Sequence, residues 1–161
     1  MDVWETAVRL LARRGMTVTV MESCTGGGIA DAITNVAGAS EVFYEGYVAY
    51  SNRAKVRWGV PDSVIEAHTV YSTETAAAMA QAARQSADAD VAIGVTGQLG
   101  RVDPANPVSE VNRVWCALVD RQGVAATWCL TVEAGTRAAQ KAAVIDRVGR
   151  ELCTLLQAET R

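Results

Sequence analysis

A chain of 161 residues, half of them hydrophobic, holds enough apolar material for one domain with a buried core, here taken as 1–161. With 15 Lys and Arg against 18 Asp and Glu, the formal net charge of −3 argues against a broad face for nucleic acid. No apolar run approaches the roughly 20 residues of a membrane span, and "MDVWETAVRLLARRG" lacks a signal-peptide layout, so no membrane partner and a cytoplasmic location are expected.

In chain order, Val3, Trp4, Val8, Leu11 and Ala12 repeat at helical spacing over 3–14, and Gly15 stops that helix. "MTVTVM" (16–21) is short and β-branched, a strand. A helix is predicted over 27–37, with Gly38 as its stop, and a second strand over 43–51. Short helical turns follow at 52–59 and 61–68, the latter begun by Pro61. Ser72 can cap an Ala-rich helix over 73–86. Residues 90–97 read as a buried strand ending in Gly97, and 98–112 as a polar loop with two prolines. Strands at 113–120 and 124–132 make a hairpin, and 135–157 a long amphipathic helix. Strand and helix alternate before the hairpin. This predicts an α/β fold, a three-layer α/β/α single domain with a mixed β-sheet.

The four cysteines, Cys24, Cys116, Cys129 and Cys153, lack CxxC spacing and read as free thiols. Glu22 and Asp31 belong to no recognisable metal set, so no metal is expected.

The chemically loaded stretch is "ESCTGGG", between a predicted strand and a predicted helix. A strand's carboxyl end facing a helix N-terminus is where α/β folds place ligands. Ser23 and Thr25 could bind an anion, act as a nucleophile, or merely cap the helix, while the glycines permit close approach. A Ser nucleophile needs a base, and the one histidine, His68, lies far along the chain. "YVAYSNRAK" places Tyr50, Ser51, Asn52 and Lys55 at the next strand end. Lys55 is either solvated or, if burial lowers its pKa, a base for Ser23. Cys24 with His68 is an alternative nucleophile–base pair. "VTGQLG" (95–100), with Thr96 and Gly97, can wall the same pocket, and Arg137 at the start of the last helix can pair with an anion.

"MESCTGGGIADAITNVAGAS" followed by "FYEGYVAYSNRAKVRWGV" resembles the CinA C-terminal domain family. The pattern is ESCTGG, then a Gly-Ser (here Ala39-Ser40), then Gly-x-V-x-Tyr-Ser-Asn-x-x-Lys over Gly46–Lys55. The resemblance implies a three-layer α/β/α domain that deamidates nicotinamide mononucleotide to nicotinic acid mononucleotide and ammonia. It implies Ser23 as nucleophile, Lys55 as base and Tyr50 as helper in proton transfer or positioning. Thr25, Gly26, Gly27, Ser51, Asn52, Thr96, Gly97 and Arg137 would contact the nucleotide, Arg137 its phosphate. A small-molecule nucleotide substrate, a homo-oligomer and a mechanism that needs no metal or organic cofactor are also implied.

The chain departs from the family after Thr96-Gly97. Where the family has Ile-Ala-Gly-Pro and a Gly-rich loop, this chain has "QLGRVDPANPVSEVNR", with added charges at Arg101, Asp103 and Glu110. Asn112 stands where the family has the glycine before the next strand, and Asn tolerates positive φ. Thr69 replaces a glycine and Tyr71 a small residue. Three readings stay open: the nicotinamide mononucleotide amidase, an inactive member that binds a nucleotide or protein, and a hydrolase of a different amide.

Overall fold

The computed structural model of the chain describes residues 2–107 and 110–158. Helix α1 (Val3–Arg14) buries Trp4, Ala7, Val8 and Leu11, one stripe at helical spacing, and ends at Gly15 in the left-handed conformation. Ala12, expected on that stripe, faces solvent. Strand β1 (Val18–Glu22) is buried along its whole length.

Helix α2 (Gly28–Thr34) is shorter than the predicted 27–37. Gly27 has φ 95, which no helix accepts, and the chain turns after Thr34 toward a 3-10 turn at Ala39–Glu41. The predicted strand over 43–51 contracts to β2 (Tyr47–Val48). Residues 42–46 reach β1 through off-ladder bonds instead, Val18 N to Val42 O and Thr19 Oγ1 to Glu45 O. The alternation that suggested a strand is still present: Tyr47 and Ala49 are buried, Val48 and Tyr50 exposed.

Helix α3 (Asn52–Arg57) is capped by the Ser51 hydroxyl, which accepts from Ala54 N. Helix α4 (Asp62–His68) follows Pro61. Helix α5 (Thr73–Ala87) starts at Ser72, whose hydroxyl accepts from Thr75 N, as the sequence predicts. Strand β3 (Val91–Gly97) leads to β4 (Arg113–Asp120) and β5 (Gly123–Thr131), joined by a two-residue turn. Asp120 closes that turn by accepting from Gln122 N and Gly123 N. Helix α6 (Arg137–Ala158) ends the described chain.

The sheet order is β2-β1-β3-β4-β5, parallel as far as β3 and antiparallel beyond, so the sheet is mixed. Val18, Val20, Val91, Ile93, Val95, Val114, Cys116 and Leu118 join the side chains of α1, α2 and α6 in one cluster. On the opposite face, Met21, Tyr47 and Ala49 meet Met79, Ala82 and Ala83 of α5. These three layers bury each apolar face once. At Gly94 the middle strand requires glycine, because a Cβ there would stand 1.9 Å from Ala76 O of α5. The Ala-rich helix and that glycine together bring α5 close to the sheet.

Candidate active site

The site begins where β1 ends. Ser23 N bonds Val95 O, continuing the β1–β3 pairing by one residue and placing Ser23 at the carboxyl edge of the sheet. The chain then turns through Gly26 and Gly27, both at positive φ, into α2. Glu22 holds this turn from beneath. Its carboxyl group is fully buried and accepts from Thr25 Oγ1, Ile29 N and Ala30 N. The first amides of α2 are therefore taken by the protein's own carboxylate, not left for a ligand. Thr25 is a brace for the turn, fully buried, rather than a hydroxyl in the pocket. The amides of Ser23, Gly26 and Gly28 are committed to Val95, Ser23 and Thr25 carbonyls. Of the remaining amides in the turn, only that of Cys24 belongs to a residue in the cavity wall, which makes it the candidate oxyanion donor.

Lys55 comes from α3, in the segment after the neighbouring strand. Its Nζ lies 3.3 Å from Ser23 Oγ and donates to Ala49 O at 3.0 Å. The side chain is 2% exposed. Burial lowers the amine from its ordinary 10.5 to about 8, with Cys24 and Asp103 pulling the other way. An amine near 8 is neutral in a useful fraction of molecules at physiological pH and can accept a proton from the serine.

Ser23, Cys24 and Lys55 lie in the wall of a cavity of about 760 Å³, bounded also by α3, residues 97–106 and Arg137. Among the described residues its lining carries four basic side chains, Arg53, Lys55, Arg101 and Arg137, against the single carboxylate of Asp103. Such a balance suits an anionic ligand. Arg137, the first residue of α6, donates to Leu99 O and reaches Tyr50 OH at 3.2 Å, so its guanidinium is held in place.

Of the predicted residues, Ser23, Tyr50, Ser51, Asn52, Lys55, Gly97 and Arg137 line this cavity. Thr25, Gly26, Gly27 and Thr96 do not. The Thr96 hydroxyl is fully buried and donates to Val70 O, tying β3 to the start of α5. Tyr50 is 62% exposed and its hydroxyl meets Arg137, not Ser23 or Lys55. The Cys24–His68 pairing does not form. Burial pushes the Cys24 thiol up to about 12, and His68, the last residue of α4 and exposed, sits 3.8 Å from Glu74. Among the described residues no group of His, Cys, Asp and Glu side chains is placed to hold a metal ion.

The polar segment expected over 98–112 folds into the cavity wall. Asp103 accepts from Tyr71 OH at 3.0 Å, Asn106 Nδ2 at 2.8 Å and Ala105 N at 3.0 Å, and its amide donates to Gln98 Oε1. Asn106 and Asn52 exchange side-chain hydrogen bonds, fastening the segment to the start of α3. Asn112 holds φ 62, the glycine-like conformation expected of it, and its Oδ1 accepts from Gly100 N and Gln140 Nε2. Gln98, Tyr71 and Asn106 were not among the predicted site residues. The signal was their departure from the family string, read as a change of loop rather than as new partners.

A family model described as CinA C-terminal domain matches residues 2–155. A CinA-like protein of Citrifermentans bemidjiense is 49% identical over 113 residues, 70% of this chain and 27% of the relative. One of Geobacter sulfurreducens is 45% identical over 121 residues, 74% of this chain and 29% of the relative. The chain thus spans less than a third of the length of these curated relatives. Among solved structures, a CinA superfamily protein from Klebsiella pneumoniae superposes with a TM-score of 0.88 at 25% identity, covering 98% of this chain and 99% of that one. The competence/damage inducible protein CihA from Agrobacterium tumefaciens gives a TM-score of 0.80 at 31% identity, covering 96% of each chain.

Proposed function

The chain belongs to the CinA C-terminal domain family, and we propose that it is an amidohydrolase that converts nicotinamide mononucleotide to nicotinic acid mononucleotide and ammonia. The observation that carries this reading is the contact of a buried Lys55 amine, lowered to about 8, with the Ser23 hydroxyl at the edge of a cationic cavity. A cavity of about 760 Å³ has room for a mononucleotide. Its arginines suit a phosphomonoester, with Arg137 in a fixed position to receive it.

In this mechanism neutral Lys55 takes the Ser23 proton as Oγ attacks the carboxamide carbon. The oxygen of the tetrahedral intermediate gains its negative charge against the Cys24 amide. Lys55 then returns the proton to the departing nitrogen, and ammonia leaves an acyl ester on Ser23. Water, deprotonated by the same amine, cleaves that ester and restores the hydroxyl.

The test is ammonia release from nicotinamide mononucleotide by the purified protein, with Ser23→Ala run beside it. Release by the wild type alone supports the reading; equal release by both removes Ser23 as nucleophile. The polar wall built by Gln98, Arg101 and Asp103 favours a second reading, hydrolysis of a different amide by the same pair. A panel of primary amides in the same assay separates the two.

A further inference from the structure

We propose that Asp103 is a specificity residue that selects a ligand whose ring carries a positive charge. This rests on the amidase reading and deepens it by naming how the ring is recognised.

Asp103 is the only carboxylate lining the cavity among the described residues. Its oxygens are held by neutral donors, Tyr71 OH, Asn106 Nδ2 and Ala105 N. Among the described residues it makes no direct ion pair, so its charge is oriented by neutral donors rather than held by a contacting cation. Those three bonds, Asn106 first, keep its carboxyl below the usual range, and Lys55 lies within its field. A fixed, ionised carboxylate gives one part of an otherwise cationic wall a negative potential, where a cationic group of the ligand is favoured over a neutral one.

A pyridinium mononucleotide has that charge pattern: a phosphate at one end and a cationic ring at the other. The carboxamide is bonded directly to the ring. With its carbon at Ser23 Oγ, the ring enters the cavity beside the Ser23–Lys55 contact, and Asp103 lines that same cavity. The phosphate then extends toward Arg137. A neutral dihydropyridine ring of the same shape would leave the Asp103 charge unanswered.

The experiment measures binding by calorimetry in Ser23→Ala protein, which holds ligand without turnover. The probes are nicotinamide mononucleotide and its reduced form, whose ring is neutral. The oxidised form is expected to bind about tenfold tighter, the size of one moderately screened charge interaction. Asp103→Asn added to that background keeps the shape and removes the charge, so the preference should fall below about twofold. Tyr71→Phe added instead removes one support but keeps the charge, so the preference should persist. Equal binding of the two forms by Ser23→Ala, an unchanged ratio in Asp103→Asn, or an equal loss in Tyr71→Phe would each overturn the proposal. Absence of binding by either form overturns it as well. A protein that shows the preference but releases no ammonia keeps the Asp103 role and loses the amidase reading. Release of ammonia without the preference does the reverse.

Discussion

Lys55 Nζ and Ser23 Oγ are 3.3 Å apart although they leave from different strands. The reason is topological. Strands β1 and β2 are parallel neighbours, so the segments that follow them emerge at the same edge of the sheet. The buried amine that results has an acid–base consequence in activity and another in stability.

Because Lys55 must be neutral to accept a proton, turnover should rise with pH and level off above about 8. Lys55→Met should lower turnover by about a hundredfold or more and abolish that limb. A rate profile across roughly pH 6 to 10 checks both. The stability slope has the same sign as that of a paired carboxylate, because the folded-state pKa lies below the unfolded one in both cases. The folded state releases the proton near 8 and the unfolded state near 10.5, so between them the unfolded chain binds more protons. Wild-type stability should therefore increase with pH through this window relative to Lys55→Met, by on the order of 3 kcal/mol. Urea unfolding of both proteins at several pH values measures the gap. A gap that does not change would show that the amine is not desolvated.

Glu22 predicts a structural cost at the site's foundation. Its carboxyl group accepts three hydrogen bonds through two oxygens. Glutamine in its place has one acceptor oxygen and turns an amide donor toward donors. Glu22→Gln should lose about 2–4 kcal/mol, seen as a lower urea midpoint with unchanged slope. A midpoint equal to wild type would mean that the turn does not depend on these bonds.

Tyr50 and Arg137 should separate in kinetics. The Tyr50 hydroxyl meets Arg137 and has no bond to the reacting pair, so Tyr50→Phe should change kcat by less than about tenfold. Arg137→Ala should raise KM by about tenfold or more, if the guanidinium binds phosphate. A large kcat loss in Tyr50→Phe would instead place the phenol at Ser23 in the substrate complex.

Thr69 occupies a backbone region where only glycine is at ease, φ 66 with ψ 169. It is held there by its carbonyl, which accepts from the Ser72 and Thr75 hydroxyls. Thr69→Gly should relieve about 1–2 kcal/mol of strain and raise the melting temperature by a few degrees. A lower melting temperature would mean that the Thr69 hydroxyl bond to Tyr71 N outweighs the strain.

The elements legible from sequence were those whose cause is local. Gly15 ends α1, Ser72 caps α5, and the β-branched runs form β1, β3, β4 and β5, because each signal acts within a few residues. The place of β2 was legible but its length was not. Its alternation is that of a strand, but residues 42–46 satisfy β1 through carbonyls outside the ladder.

The amino-acid sequence by itself determined the α/β class, the alternation of elements and the two strings that hold Ser23 and Lys55. These depend on periodicity, capping and turn chemistry along the chain. Only the tertiary structure decided what the other polar residues do. Thr25 and Thr96 turned inward to brace the fold, whereas Tyr71, Gln98, Asp103 and Asn106 assembled one wall of the cavity. A buried hydroxyl or carboxylate takes whichever partner packing brings within reach. For Glu22 that partner is seven and eight residues away, for Asp103 it is Tyr71, and for Ser23 it is Lys55.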